Sequence, residues 1–254
     1  MPYRLLVALL SCAAASMAQN PELGEIRVRN LTATLEVNGP RPIDMAAKTL
    51  AVKYGLRINV EDPGPGHPVT AGRLTVTFRL TDQLAPASPS QLVADIVKTA
   101  NAALPIKYRL QSDADWYSII PTHVRGAPVT PLLDRLVTIP AGTRPIAASA
   151  NLMAEELARQ SGARVHCCQP FVAGIPWGLE PAEFSAKNEP ARSVLKRLIG
   201  AGKQHWLLRC DASSPAWCFI NLPHRQLYSH YAFPALPRPL PPRPTRNLLP
   251  HLLP

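Results

Sequence analysis

Cysteine is the residue type in this chain whose number and spacing point most directly to chemistry. Five cysteines occur, at positions 12, 167, 168, 210 and 218. Without Cys12, an even set remains: Cys167, Cys168, Cys210 and Cys218. An even set in an exported chain predicts disulfides, with free structural thiols as the alternative. Cys210 and Cys218 fall on the two arms of an expected hairpin, so one bridge can cross it. Neighbouring residues of a strand face opposite sides, so one of Cys167 and Cys168 must point inward. That makes Cys168 with Cys210 the competing pairing. A metal site would combine His166, Cys167 and Cys168 with the hairpin cysteines. The Cys-x(2–4)-Cys knuckles of zinc sites are absent, however, and no metal or cofactor is expected.

Acid–base chemistry has weaker support. The seven histidines do not gather in sequence. His67 and His123 are expected in loops, with His224 and His230 near the C-terminus. A catalytic imidazole needs a carboxylate or a nucleophile fixed beside it. No Gly-x-Ser-x-Gly, His-Glu-x-x-His or phosphate-binding loop occurs. Asp113 and Asp115 sit where a hairpin turn is expected, and aspartate is a good turn former. Glu61 and Asp62, with His67 in the same Pro- and Gly-rich loop, form the acidic cluster of most interest. Loop carboxylates are usually there for solvation, so a non-enzymatic protein is expected, with no catalytic residues.

The elements that must position these residues occur twice. Leu50-Ala51 and Leu157-Ala158, Gly55 and Gly162, Arg57 and Arg164, and Pro63 and Pro170 all match at an offset of 107 residues. Pro89 and Pro190, Trp116 and Trp217, and His123 and His224 match at an offset of 101. Ordered matches of this kind are what a tandem duplication leaves. Each copy reads as strand (Thr32–Val37; Arg135–Ile139), then helix (Asp44–Tyr54; Asn151–Ser161). Asp44 and Asn151 are expected N-caps, and Gly55 and Gly162 the positive-φ stops. An exit strand follows (Leu56–Val60; Ala163–Cys167), then a short strand (Thr75–Leu80; Ala182–Ala186). A second helix begins after Pro89 and Pro190. Its apolar stripe is Leu92, Val93, Ile96, Val97 and Ala100 in the first copy, and Val194, Leu195, Leu198 and Ile199 in the second. A hairpin closes each copy (Ile106–Leu110 with Trp116–Ile120; His205–Arg209 with Trp217–Leu222). The expected class is α+β: a tandem repeat of a small module, two helices on one mixed sheet, at residues 28–125 and 129–225.

The second copy carries Val137 to Gly142, then Leu157-Ala158-Arg159-Gln160-Ser161-Gly162, then Glu183 to Lys187, the helix 191–199 and a hairpin ending at Phe219-Ile220. This run resembles the short N-terminal module of secretins and TonB-dependent receptors. The whole chain resembles a group of exported bacterial proteins of unassigned function. The matching features there are Gly39 to Pro42, Tyr54-Gly55, Glu61 to Pro63, and Pro128 to Asp134. The resemblance spans roughly residues 30–225 and implies the module fold and a docking role. Secretins and receptors continue into a large membrane barrel. This chain stops at Pro254, so pore and transport functions are not expected to carry over.

The first residues read as an address. Arg4 precedes the apolar run Leu5–Leu10, and small residues lead to Ser16-Met17-Ala18. This predicts a signal peptide over 1–18, cleaved after Ala18. Leu9-Leu10-Ser11-Cys12 is an alternative lipoprotein box that would make Cys12 a lipid anchor. Either way the chain is expected to be exported, periplasmic or secreted. After Arg225 the composition changes, and Pro234 to Pro254 alternates proline with leucine and arginine, predicting a disordered or polyproline II tail over 226–254. The formal net charge is +10, with the basic residues spread thinly, so no nucleic-acid partner is expected. Three function classes remain: a docking module for an envelope protein, an envelope hydrolase with a site between the modules, and a binder of anionic glycan or lipid through the tail.

Overall fold

Positive-φ residues mark the start of one helix and the ends of two. The computed structural model describes residues 23–67, 71–113, 116–167, 181–199, 205–211 and 216–221. The expected signal peptide with Cys12, the 226–254 tail, Asp115, Cys168, His224 and His230 lie outside the described residues. Helix α1 (Pro42–Tyr54) starts after Arg41, whose φ is 55°, and stops at Gly55, whose φ is 70°. Helix α3 (Ile146–Ser161) stops at Gly162, also at φ 70°. Each glycine N–H returns to a helix carbonyl, Ala51 and Ala158 respectively. Both glycine stops are as the sequence predicted.

The helix starts are not. Asp44 lies in the first turn of α1, behind Pro42, and Asn151 lies inside α3. Pro42 has no N–H to lose at the first helical position and its ring presets φ. In the second case Ile146 to Ala150 is largely alanine, the best helix former, so the helix begins well before Asn151.

Helix α2 (Pro89–Ala103) is capped by the Ser88 hydroxyl, which accepts from the Gln91 N–H at 3.4 Å. It buries Leu92, Val93, Ile96, Val97 and Ala100, the predicted stripe. Helix α4 (Ala191–Ile199) buries Val194, Leu195, Leu198 and Ile199.

Among the described residues the strands form three sheets. β1 (Glu25–Arg29), β2 (Thr32–Pro40) and β4 (Ala71–Arg79) make an antiparallel sheet in the order β1–β2–β4. β8 (Leu136–Pro145) and β10 (Pro181–Pro190) make an antiparallel pair. The main sheet uses β3 (Arg57–Glu61), β5 (Ile106–Asp113), β6 (Trp116–Val124), β9 (Arg164–Cys167), β11 (Leu207–Cys210) and β12 (Trp217–Asn221). Its order is β5–β6–β3–β11–β12–β9, with the short β7 (Ala127–Pro128) on β6. β1 and β7 were not anticipated. His123 lies on β6 and Asp113 ends β5, because this hairpin is longer than its apolar run suggested.

From β2 to β6 the order is strand, helix, strand, strand, helix, strand, strand, and from β8 to β12 it is the same. In both stretches the first strand pairs antiparallel with the third. The exit strand pairs in parallel with the last strand. The protein is α+β.

Among the described residues, two apolar cores flank the main sheet. One packs Leu35, Leu50, Ile58, Leu92, Ile96 and Ile119. The other packs Leu133, Met153, Leu157, Val194, Leu198 and Ile220. At the junction the halves exchange side chains. Leu207 of β11 enters the first core and its neighbour Leu208 the second. Trp116 of β6 enters the second core, with its ring 5.9 Å from Trp206. Burying each such side chain contributes about 1.5–3 kcal/mol. Strands covered on both faces read as unbroken apolar runs, and Trp116 to Pro121 is buried throughout.

Candidate functional site

The richest polar chemistry lies where β3 meets β11. Alternation along β3 sends Ile58 and Val60 into the first core. Asn59 and Glu61 therefore face the other way. Asn59 is fully buried and satisfied: its amide donates to Ser118 Oγ at 3.1 Å, and its carbonyl accepts the Trp206 N–H at 3.0 Å.

Glu61 is also fully buried. The Arg192 guanidinium donates to both its oxygens, at 2.7 and 2.8 Å. Arg192 also meets Asp134, which Arg109 reaches at 3.5 Å. Burial is the largest influence on Glu61 and pushes its carboxyl up, against the pull of Arg192. Burial likewise opposes the Arg192 charge, but the two carboxylates outweigh it and hold the guanidinium above its usual range. Glu61 is thus no solvated loop acid, as its sequence neighbourhood suggested. It is the buried arm of an ion triad centred on Arg192, whose other arm is the part-exposed Asp134.

Asp62 turns to the opposite side and lines a cleft with Arg41, Asp44, His67, Tyr108 and Cys210. Asp62 Oδ2 accepts from Arg41 Nε and from the Cys210 N–H, both at 2.9 Å. Arg41 also donates to the Cys210 carbonyl at 3.0 Å. Burial pushes the Asp62 carboxyl above the usual aspartate range, against Arg41 and the Cys210 N–H. Burial pushes the Tyr108 phenol up as well. Asp44 Oδ2 accepts from Arg209 Nε at 2.7 Å and pairs with its Nη2 at 2.5 Å. Asp62 and His67, singled out from sequence, do share this cleft. Glu61 does not join them.

The cysteines follow one of the expected pairings. Cys210 and Cys218 face each other across β11 and β12 and form a disulfide, with Cα atoms 4.1 Å apart. The Asp211 N–H to Trp217 carbonyl bond lies just beyond them, so this is the closely spaced, non-hydrogen-bonded type of pair. Cys168 is thereby excluded as the partner of Cys210. Cys167 is buried and also disulfide-bonded. Disulfides of this kind fit an oxidising environment. No cluster of three or more His, Cys, Asp or Glu that could hold a metal occurs among the described residues. No helix among them is long and apolar enough to cross a membrane.

Several important residues escaped the sequence reading. Arg41 and Asp44 sit in an otherwise apolar run, Gly39 to Ala47, which was the available signal, whereas Arg192 is one of several charged residues around the start of α4. A second missed feature lies on the face of β9 and β12 turned away from the second core. Trp217 and Phe219 stack at 6.0 Å, and His166 lies 5.2 and 5.5 Å from them. Arg164 covers the Trp217 ring at 4.8 Å. Period-2 alternation in both strands was the clue to it. His123 bonds locally to Thr122 Oγ1 at 3.2 Å.

The chain matches no protein-family model, no curated protein sequence and no solved structure.

Proposed function

We propose that this chain is an exported, non-enzymatic docking protein of the bacterial envelope, built from two copies of one module. In this reading a signal peptide occupies 1–18, the modules 28–125 and 129–225, and a Pro-rich tail 226–254. The shared element order and matching strand pairings support duplication, as do the two offset series. The likeness to secretin and receptor N-terminal modules supports docking.

The observation that carries the reading is the edge of β9. In the first half the equivalent strand, β3, takes β11 as a parallel neighbour. The Val60 N–H bonds the Trp206 carbonyl at 3.2 Å and the Asp62 N–H bonds the Leu208 carbonyl at 2.9 Å. β9 pairs with β12 and with no other strand among the described residues. An extended segment of an envelope protein, added beside β9, would repeat the β3–β11 arrangement. The far end of the sheet is different. Asn101 binds both the N–H and the carbonyl of Tyr108, at 2.7 and 2.9 Å, closing β5 there. Blocking one edge is how proteins prevent indiscriminate strand addition.

The hydrolase alternative is less well supported. In the cleft beside Asp62 each carboxylate is held by an arginine, Asp62 by Arg41 and Asp44 by Arg209, which keeps them as charge partners rather than as a general base poised for a substrate. Binding of anionic glycan or lipid would draw on the +10 charge and the tail.

A photo-crosslinking residue placed at Arg164, on β9, tests the docking reading in the producing cell. One envelope protein should be captured from this position and not from exposed Glu155 on α3. Equal labelling from both sites, or none, rejects the reading.

A further inference from the structure

The β3–β11 junction shows what one half of the chain takes from the other. The Trp206 carbonyl accepts from the Val60 N–H, and Leu207 stands opposite Val60 with both side chains in the first core. β11 thus brings a backbone acceptor and, one residue on, an apolar side chain.

β9 is the counterpart of β3. Arg57 pairs with Trp116 and Arg164 with Trp217, so Val60 corresponds to Cys167 at the offset of 107. The Arg164 N–H bonds the Ala216 carbonyl, on the β12 side. Val165, next along, therefore turns its N–H and carbonyl away from β12. No strand among the described residues takes that side. Cys167 is buried in the second core, where an arriving strand would add an apolar side chain as Leu207 does in the first.

β5 is the counterpart of β11, and it lacks both features. Leu110 stands opposite Ile119 as Leu208 stands opposite Ile220, so Tyr108 answers to Trp206 and Arg109 to Leu207. The Tyr108 carbonyl already accepts from the Asn101 amide at 2.9 Å, and the Tyr108 N–H donates to the Asn101 oxygen at 2.7 Å. The offset of 101 sets Gly202 against Asn101 in the sequence, and glycine has no side chain to do the same. Arg109 would carry a charge to the place where Leu207 carries an apolar chain, and burying an unpaired charge is costly.

We infer that the β9 edge takes, in parallel, the first hairpin arm of another module of this kind, one with an open edge and an apolar residue at the Leu207 place. Asn101 and Arg109 withhold this chain's own β5, so the arm comes from a different protein. The inference rests on the docking reading of β9 and names the chemistry of its partner.

The probe is this chain with its own arm opened, Asn101→Ala together with Arg109→Leu. The unaltered chain should sediment as a single chain. The variant should assemble head to tail, β5 on β9, with a mean mass that rises with concentration. An excess of unaltered chain, which offers β9 but no arm, should cut these assemblies to two chains. The Val165 amide of the bound unaltered chain should then exchange about tenfold more slowly. If Asn101→Ala does not fold, Asn101→Asp keeps an acceptor for the Tyr108 N–H and still frees the Tyr108 carbonyl. A folded variant that stays single, assemblies that the unaltered chain does not cut short, or an unaltered chain that assembles by itself overturns the inference and leaves the docking reading standing. A Val165 amide already protected in the unaltered chain alone overturns both.

Discussion

Glu61 at the end of β3 and Arg192 in α4 are 131 residues apart in sequence and joined by a two-point hydrogen bond in the interior. They bind the first half of the chain to the second. A buried pair of this kind adds modest net stability compared with an apolar replacement, but removing one partner strands the other. Arg192→Met should therefore destabilise the protein by about 3–5 kcal/mol. Glu61→Leu combined with Arg192→Met should recover a large part of that loss. Urea unfolding of the single and double variants measures both. Equal losses would show that the penalty is packing rather than the uncompensated carboxylate.

The Cys210–Cys218 bridge closes a short loop, with a sequence separation of 8. Loop-closure entropy for that span predicts a loss of about 2–3 kcal/mol when both cysteines become alanine. Because Cys210 also donates its N–H to Asp62 and accepts from Arg41, the Asp62 carboxyl resonance should shift in the same variant. An unaltered urea midpoint would contradict the first expectation.

Glu156 offers a clean pH marker. Hydrogen bonds from Arg159 and Gln160 hold its carboxyl down to about 2. A carboxyl depressed in the folded state stabilises it above the ordinary glutamate value. That contribution is lost as pH falls from there through about 2. Carboxyl NMR should find Glu156 still ionised when ordinary glutamates have protonated, and Glu156→Gln should flatten the stability profile in that window.

Asp62 should behave in the opposite sense. Burial raises its carboxyl, so folding favours its neutral form. The associated stability is fully present below the ordinary aspartate value and fades as pH rises through the raised one. Asp62→Asn should remove that dependence. A titration of Asp62 below the ordinary aspartate range would refute this.

Gly162 tests the helix stop. A Cβ there would meet nothing within 4 Å, yet φ is +70°. Gly162→Ala should therefore cost about 1–2 kcal/mol, all of it backbone strain. Gly162→Asn should cost less, since asparagine tolerates this region. Thermal unfolding distinguishes them.

Legibility in the sequence followed the range of the forces involved. The glycine stops, the α2 and α4 stripes and the hairpin cysteines are local, and periodicity or turn chemistry reveals them. Asp44 and Asn151 were misplaced as caps because proline and alanine start a helix without a side-chain cap. Glu61 was read as a loop acid because its partner lies in a distant helix. The cleft was legible in part, through Asp62 and His67. Arg41 and Asp44 were not, since their partners, Cys210 and Arg209, come from the far end of the chain.

The β3–β11 junction also has a kinetic consequence. A chain emerging N-terminus first completes β3 long before β11 exists, since Arg41 and Cys210 are 169 residues apart. Until then the first core lacks Leu207, and one edge of β3 stands open. Contacts of such separation slow folding and leave an edge exposed to strand-pairing errors in the interval. A chain held extended until its last strand is available would avoid that interval. Variants that weaken the junction should therefore lower the yield of correctly folded protein more than their equilibrium stability alone would suggest.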